Sequence, residues 1–366
     1  MSTESPSQRA VARLVEAATA APSLHNAQPW RFHHLVEHGV LELRAAMDRC
    51  LPHSDPHGRA LHMGCGAALL NLRVAAAEAG WCAAFRVLPD PYDPRLLATV
   101  RLRRLAADER DQRRELAALA PLAEQIPRRH TSRQPYADDR VPDPVRTRLR
   151  AAAEREGARL LFAPPWHAPA VLELARDAEG RDFADPGRLA ELAAWTEIDD
   201  VPGVADVPGV PGVADVPGVA DVAGVVGGKG ADEADAANGE RGTPAGERAR
   251  RPAPVRDFAG RAAPAERLPA GGEGPPPQLA LLSTAEDRPA DWVRAGQALE
   301  RALLVATGEE LSAAVSSESP AWTELGWTAR DPLLPAGQVH AVLRVGYGAR
   351  APATPRLPLH QVLDVH

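Results

Sequence analysis

The sequence predicts an α+β protein, and three observations carry that prediction. Helix-forming stretches alternate with short strand-like ones toward both ends of the chain. Two Ala- and Leu-rich helices, Gly66-Ala-Ala-Leu-Leu-Asn-Leu-Arg-Val-Ala-Ala-Ala and Gly296-Gln-Ala-Leu-Glu-Arg-Ala-Leu-Leu-Val-Ala-Thr, match at Gly66 with Gly296, Ala68 with Ala298, Leu69 with Leu299 and Ala76 with Ala306. Between them, residues 199–277 consist of imperfect Val-Pro-Gly-Val-Ala-Asp units followed by Gly, Ala, Glu, Arg and Pro, a composition that buries too little side chain to offset its ordering entropy.

A first helix at about 6–20 carries Leu14, Val15 and Ala18 on one face and is ended by Pro22, whose ring removes a backbone donor. Trp30 and Phe32 then turn the pattern into a strand over 30–36, followed by a second at 40–44. A long helix at 59–79 contains Gly66, which permits close approach, and leucines at core spacing. Strands at 83–88 and 96–102 and a helix at 107–120 follow. Helices are expected at 143–156, 168–178 and 186–195, with a strand at 158–163. The 199–277 segment reads as a disordered surface insertion from slippage in repetitive DNA, or as an elastin-like interaction segment, with Arg256-Asp257-Phe258 as its island of order. Order resumes with a strand at 278–283 and a helix after Thr284, with Asp287 in its first turn, through Trp292 and Leu299 to Ala306. A last strand, His340 to Gly346, precedes a Pro-rich tail containing Arg356.

Composition excludes several classes of function. A chain of 366 residues with a net charge of −7 and pI near 6.0 lacks the basic field a general nucleic-acid binder needs. Lys229 is the sole lysine, so a Schiff-base, Walker or general-base lysine would have to lie inside a Gly-rich tract, and arginine is left to bind anions. Cys50, Cys65 and Cys82 form neither a close-spaced metal pair nor a disulfide framework, which fits a reduced cytoplasmic protein. Met1 to Ser7 shows no secretory pattern, and no run long enough to span a membrane is expected.

Two motifs carry chemistry. Residues 21–34, Ala-Pro-Ser-Leu-His-Asn-Ala-Gln-Pro-Trp-Arg-Phe-His-His, place Ser23, Asn26 and Gln28 in a polar loop between helix and strand. The loop reads either as a cofactor loop or as an Asx-type turn with a packed Trp. Arg128, Arg129 and Arg133 surround Thr131 and Ser132 before Pro135-Tyr136. Guanidinium forks and hydroxyls match phosphate oxygens, so this cluster is a phosphate clamp in composition; a solvated basic turn is the other reading.

The first string resembles the nitroreductase superfamily of FMN-binding flavoproteins, and Arg129-His130-Thr131-Ser132-Arg133-Gln134-Pro135-Tyr136 resembles that superfamily's phosphate-binding segment, moved here from the N-terminus to mid-chain. This inverted order, the Gly296–Thr307 helix and the closing Val342-Leu343-Arg344-Val345-Gly346-Tyr347 are similar to the Acg-type branch, in which one chain contains two nitroreductase-like halves. The resemblance implies a nitroreductase-like α+β fold, internally duplicated so that one chain mimics the usual dimer. The halves would be residues 1–120 and residues 121–198 with 278–366.

By the same resemblance, Pro22, Ser23, Asn26 and Gln28 would line one side of an FMN. Arg129, His130, Thr131 and Arg133 would hold its phosphate and ribityl chain, with Arg356 as the C-terminal phosphate-binding residue and Ser316 and Ser317 near the flavin N5 edge. Neither half contains both motifs, which implies one FMN per chain. NAD(P)H would be the electron donor and a small nitroaromatic or quinone the acceptor, with the chain a monomer or weak homodimer and no nucleic-acid, membrane or metal partner. An FMN-storing protein with little turnover, or a specialised biosynthetic oxidase, are the other functions the resemblance allows. Departures from the branch are the loose text of Ala314 to Pro320 and Glu310 in place of a glycine. His25 and His130 read as proton donors or as polar packing residues.

Overall fold

The computed structural model describes residues 6–106, 108–132, 136–137, 139–172, 185–199, 278–316, 337–349, 351 and 353–366. Arg133, Ser317, Lys229, the Arg256-Asp257-Phe258 island and nearly all of the expected insertion lie outside the described residues.

In the N-terminal part, α1 (Gln8–Thr19), β1 (Trp30–Leu35), β2 (Val40–Ala45), α2 (Arg59–Glu78), β3 (Cys82–Val87) and β4 (Leu96–Arg103) follow one another. Ser7 caps α1 by accepting from the Ala10 N–H, and Val11, Leu14, Val15 and Ala18 form its buried stripe. In β1 burial alternates, so Trp30 and Phe32 point inward and Arg31 and His33 outward. After α3 (Arg110–Leu119) and a run of 3-10 turns (Ala120–Arg128), a second series begins: α4 (Asp143–Glu154), β5 (Arg159–Phe162), α5 (Pro186–Asp199), β6 (Gln278–Thr284), α6 (Pro289–Gly308), β7 (Ser312–Ser316) and β8 (Gln338–Gly346).

The strands form two sheets, ordered β3-β4-β2-β1 and β7-β8-β6-β5, and every one of these neighbouring pairs is antiparallel. Sequence order and spatial order therefore correspond between the two series, apart from α5. One element breaks the correspondence. The C-terminal strand β9 (Leu363–Val365) leaves the second sheet behind and pairs in parallel with β1 of the first, Phe32 opposite Leu363. The tail of the expected second half thus completes the first.

Several expectations need correction. The Pro-rich tail contains β9, and Ser312–Ser316, to which the sequence assigns no strand, is a strand. The helix after Thr284 starts only at Pro289, because proline's missing N–H suits the first helical position; Asp291, not Asp287, lies in its first turn. Asp287 instead accepts from the Trp292 indole and pairs with Arg59. Arg59–Glu78 is, against expectation, long and apolar enough to cross a membrane, but 94% of the relevant stretch is buried inside the protein, so α2 is a core helix.

At the centre α2 and α6 lie side by side. A Cβ on Gly66 would collide with the Val293 carbonyl, and one on Gly296 with the Met63 carbonyl, so the two glycines that match in sequence make the same approach from opposite sides. Two polar groups tie the series together around this contact. Arg59 donates to Asp287 (2.6 Å) and meets His340 Nδ1 (3.0 Å), whose other ring nitrogen faces the Thr284 hydroxyl. Burial, and then Arg59, push the His340 imidazole down to about 4.

Gly66→Ala is expected to destabilise the chain by at least about 1–3 kcal/mol, the usual cost of overpacking a close contact, because the obstacle is backbone carbonyl rather than a movable side chain. Urea unfolding checks this; unchanged stability would mean that the helices can part without loss. His340, neutral in the fold but charged in the unfolded chain below pH 6.5, contributes stability that is complete above 6.5 and is lost as pH falls toward 4. His340→Gln should flatten the stability profile across that window by on the order of 3 kcal/mol.

Candidate functional site

The end of α1 and the start of β1 are joined by a loop with an unusual backbone. His25, Asn26 and Gln28 have φ of 50°, 56° and 50°. Asparagine tolerates the left-handed region, but for His25 and Gln28 it costs on the order of 1–3 kcal/mol each, so surrounding contacts must hold it. They do. The Ser23 hydroxyl accepts from the Gln28 N–H (2.9 Å), closing the loop on itself, and Gln28 Oε1 accepts from the Leu357 N–H (2.9 Å). Asn26 is gripped at both ends, donating to the Pro355 carbonyl and accepting from Arg356 Nη1, each at 3.0 Å. Arg356 Nη2 reaches on to the Ala20 and Ala21 carbonyls at the end of α1 (3.0 and 3.2 Å). Pro22 sits in this bend, half-buried, and the first half of α2 packs close against it: the nearest atoms to a Cβ on Gly64 would belong to Ser23, Pro29 and Pro22.

Arg129 arrives from the 3-10 run and turns inward. It is 4% exposed, donates from Nη2 to the same Ala20 carbonyl (3.0 Å) and brings Nε to 3.2 Å from Glu300 Oε1 on α6. Two guanidiniums from distant parts of the chain therefore converge on one carbonyl. Glu300 is completely buried, with Asn71 of α2 beside it, and burial pushes its carboxyl up while Arg129, Asn71 and Arg356 pull it down. His130 lies at the same place, its imidazole lowered by burial and then by Arg129 and Arg356, which keeps it neutral near pH 7. Neither Arg129 Nε, His130 Nδ1 nor the Glu300 oxygens has a well-formed hydrogen bond.

The loop residues, Arg129, His130 and Arg356 are brought together; other expected site residues are not. Arg128 was expected in the clamp, but it closes the 3-10 run while Arg129 leaves it in an extended conformation, and Arg128 turns outward to Gln125 (2.9 Å) and Glu310 (2.6 Å). Thr131 has an exposed side chain and pairs through its backbone with Ala313 of β7, while Ser132 is buried against the Ala349 carbonyl. Ser316 ends β7 opposite Val342, half-buried. His25 meets the Ser54 hydroxyl at 3.3 Å, a packing contact. Glu310 has φ of 58°, which explains why glycine suits that position. Sequence reading missed Glu300, Asn71 and the Ala20 carbonyl; its available signal was the pair of polar residues interrupting two otherwise apolar helix texts.

The second series also supplies a cover on the loop's outer side. Trp195 of α5 packs with Leu24, Ala27, Leu51 and Ala60, and Glu191 accepts from the N–H groups of His53 and Ser54.

Comparison with known proteins bears on this geometry. The model of the Nitroreductase family matches residues 2–64. The chain is 38% identical over 160 residues, 44% of each chain, to a Mycobacterium tuberculosis H37Rv protein named as a candidate NAD(P)H nitroreductase. It is 34% identical over 182 residues to acg of the same strain, also named as a candidate NAD(P)H nitroreductase, covering 50% of this chain and 52% of acg. The chain thus spans about half the length of these curated relatives. Among solved structures, a mutant FMN and NADPH-dependent nitroreductase, NfnB from a Sphingopyxis strain, is similar with a TM-score of 0.36 and 16% identity, covering 66% of this chain and 97% of that one.

Replacing Arg356 by Ala removes the contacts to Ala20, Ala21 and Asn26 together. The expected result is a loss of about 2 kcal/mol in unfolding free energy and faster protease cleavage within 353–366, since hydrogen bonds from a charged donor contribute roughly 1.5–3 kcal/mol. A tail equally resistant in the variant would show that β9 alone holds it.

Proposed function

Because the chain belongs to the nitroreductase superfamily, we propose that it is an NAD(P)H oxidoreductase of nitroreductase type that binds one FMN and reduces small electron-poor molecules, nitroaromatics or quinones. The observation that carries this reading is the convergence of the 22–28 loop, Arg129 with His130, and Arg356 from three separate stretches of chain.

The residues fit such a cofactor. Two guanidiniums with a neutral imidazole in reach of both, and buried nitrogens lacking well-formed hydrogen bonds, are a donor set suited to a phosphate ester. Arg129, His130 and Arg356 would hold the phosphate end. The stiff loop would set Ser23, Asn26 and Gln28 beside the ring system, with Pro22 shaping the bend. Bound FMN supplies hydride acceptance and release, and donor and acceptor would use one open face in turn, giving ping-pong kinetics. The protein's part is to fix the orientation of the ring and keep the strained loop closed.

We further infer that the two series, residues 1–120 and residues 121–198 with 278–366, are copies of one ancestral unit. Matching strand order, matching glycines at the helix contact and the matching places of α1 and α4 ahead of each series of strands support this. They also support a single site. Where α1 is followed by the long loop, α4 passes through Glu156-Gly157-Ala158 directly into β5. There Glu156 takes hydrogen bonds from Arg73 and Arg301 (2.6 Å each), and Arg301 also binds Glu115 (2.7 Å), so charged side chains fill the equivalent place. A second reading, FMN storage with little turnover, is favoured by one feature: Trp195 and α5 close the outer side of the loop.

Purified protein is expected to be yellow, with one FMN per chain that bleaches with NADH or NADPH without oxygen and reoxidises with a quinone. Bleaching without acceptor turnover would favour storage; protein that refuses added FMN would overturn both readings. Arg129→Lys, which keeps the charge opposite Glu300 but loses the fork, should weaken FMN binding at least about tenfold, within the 1.5–3 kcal/mol of a charge-assisted contact.

A further inference from the structure

Glu300 has no evident part in the chemistry above, yet it is a carboxylate with no exposed surface in the middle of a core helix. We propose that Glu300 is a positioning residue that acts as an exchangeable counter-ion, holding Arg129 while the site lacks an anion and taking a proton from solvent when a phosphate ester engages that guanidinium. The identity of the ester as FMN rests on the reading above; the proton linkage does not.

Around Glu300, α2 contributes Asn71, the connector contributes Arg129 with His130 next to it, the tail contributes Arg356, and the end of α1 contributes the Ala20 carbonyl that both arginines share. Among the described residues around it, the positive charge comes from two guanidiniums and the negative charge from Glu300 itself. The Arg129–Glu300 pair is close, 3.2 Å, but lacks good hydrogen-bond alignment, and the Asn71 amide does not complete the carboxylate's shell. A buried ion pair of this quality repays little of its desolvation.

A dianionic phosphate brought to Arg129 and Arg356 changes the balance in two ways at once. It competes for the guanidinium that favours the ionised form of Glu300, and it places like charge near an already desolvated carboxylate. Both favour the protonated acid, and buried glutamic acids that remain protonated at pH 8 are well within the range burial produces. The step balances simply: one O–H bond forms on the Glu300 carboxylate, the proton comes from water or buffer, and no electron moves. Neutral Glu300 then donates toward Asn71 instead of repelling the ligand.

The test is calorimetric titration of FMN into the apo chain near pH 7.5, where a phosphate ester with a second pKa of about 6 is already dianionic, in buffers of differing ionisation enthalpy. The wild-type chain should take up close to one proton per FMN, and its affinity should fall by up to tenfold per pH unit on the alkaline side. Glu300→Gln should bind FMN without proton uptake and with a flat pH dependence, whereas His130→Gln should retain the uptake. Riboflavin, which lacks the phosphate, should bind without it.

Buffer-independent heats in the wild type, or uptake unchanged in Glu300→Gln, would overturn the proposal while leaving FMN binding intact. Uptake lost in His130→Gln would assign the proton to that imidazole instead. If FMN does not bind, inorganic phosphate takes its place in the same titration, and failure there removes the inference along with the functional reading. The wild-type measurement stands alone should the glutamine variant fail to fold.

Discussion

The structure depends on the contact between two helices at Gly66 and Gly296. Each glycine faces the other helix's main chain, Gly66 the carbonyl of Val293 and Gly296 that of Met63, so the helices meet backbone to backbone with no side chain between them. That approach brings Asn71 and Arg73 of α2 into reach of Glu300, Gln297 and Arg301 of α6. A wider spacing would put these polar groups in separate cavities, where each would lack a partner in a low dielectric. Backbone proximity is thus the condition for every charged group buried at the centre of the molecule.

The two faces of the helix pair solve the problem of buried charge differently. On one, Arg73, Glu156, Arg301 and Glu115 form a chain in which each charged group meets at least one of opposite sign, and Gln297 accepts from Arg73 as well. Removing any member would strand its neighbours, which makes that face rigid but chemically quiet. On the other face, Arg129 and Arg356 share a backbone carbonyl and Glu300 stands close to Arg129 without proper alignment. A network left incomplete in this way stores the capacity to bind something else. The two faces therefore differ in how completely their buried charges are paired.

The fold was largely legible because the local signals were strong. Leu14, Val15 and Ala18 mark α1, Pro22 ends it, Trp30 and Phe32 start a half-buried strand, and the shared text at Gly66 and Gly296 marks the two helices that meet. What escaped reading was decided by long-range pairing. β7 is Ser-Ala-Ala-Val-Ser, with weak strand preference, and is a strand because β8 lies beside it. β9 is three residues long and exists only because the edge of β1 accepts it. The loop and the arginine motif marked a candidate site, but which arginine turns toward it did not follow from composition. Arg128 and Arg129 are adjacent and chemically identical, and chain direction alone sends one to Glu310 and the other to Glu300. The buried glutamate was invisible for a related reason: on an Ala-Leu helix flanked by Arg301, it reads as half of an ordinary surface ion pair.

The C-terminal tail shows how these parts act on one another. A loop with three non-glycine residues in the left-handed region is held from within by the Gln28 N–H on the Ser23 hydroxyl and by the Asn26 and Ala27 N–H groups on the Ser23 and Leu24 carbonyls. Pro355, Arg356 and Leu357 add bonds from outside the loop, and they can do so only because β9, a few residues on, is fixed in the first sheet. The same guanidinium that holds Asn26 also reaches Ala20, the acceptor used by Arg129. Loop shape, tail docking and the charge state around Glu300 are therefore one coupled system: whatever draws Arg356 away from Ala20 loosens the loop and alters the field at Glu300 together. A ligand anion at that place would act on all three at once, through segments from both ends and the middle of the chain.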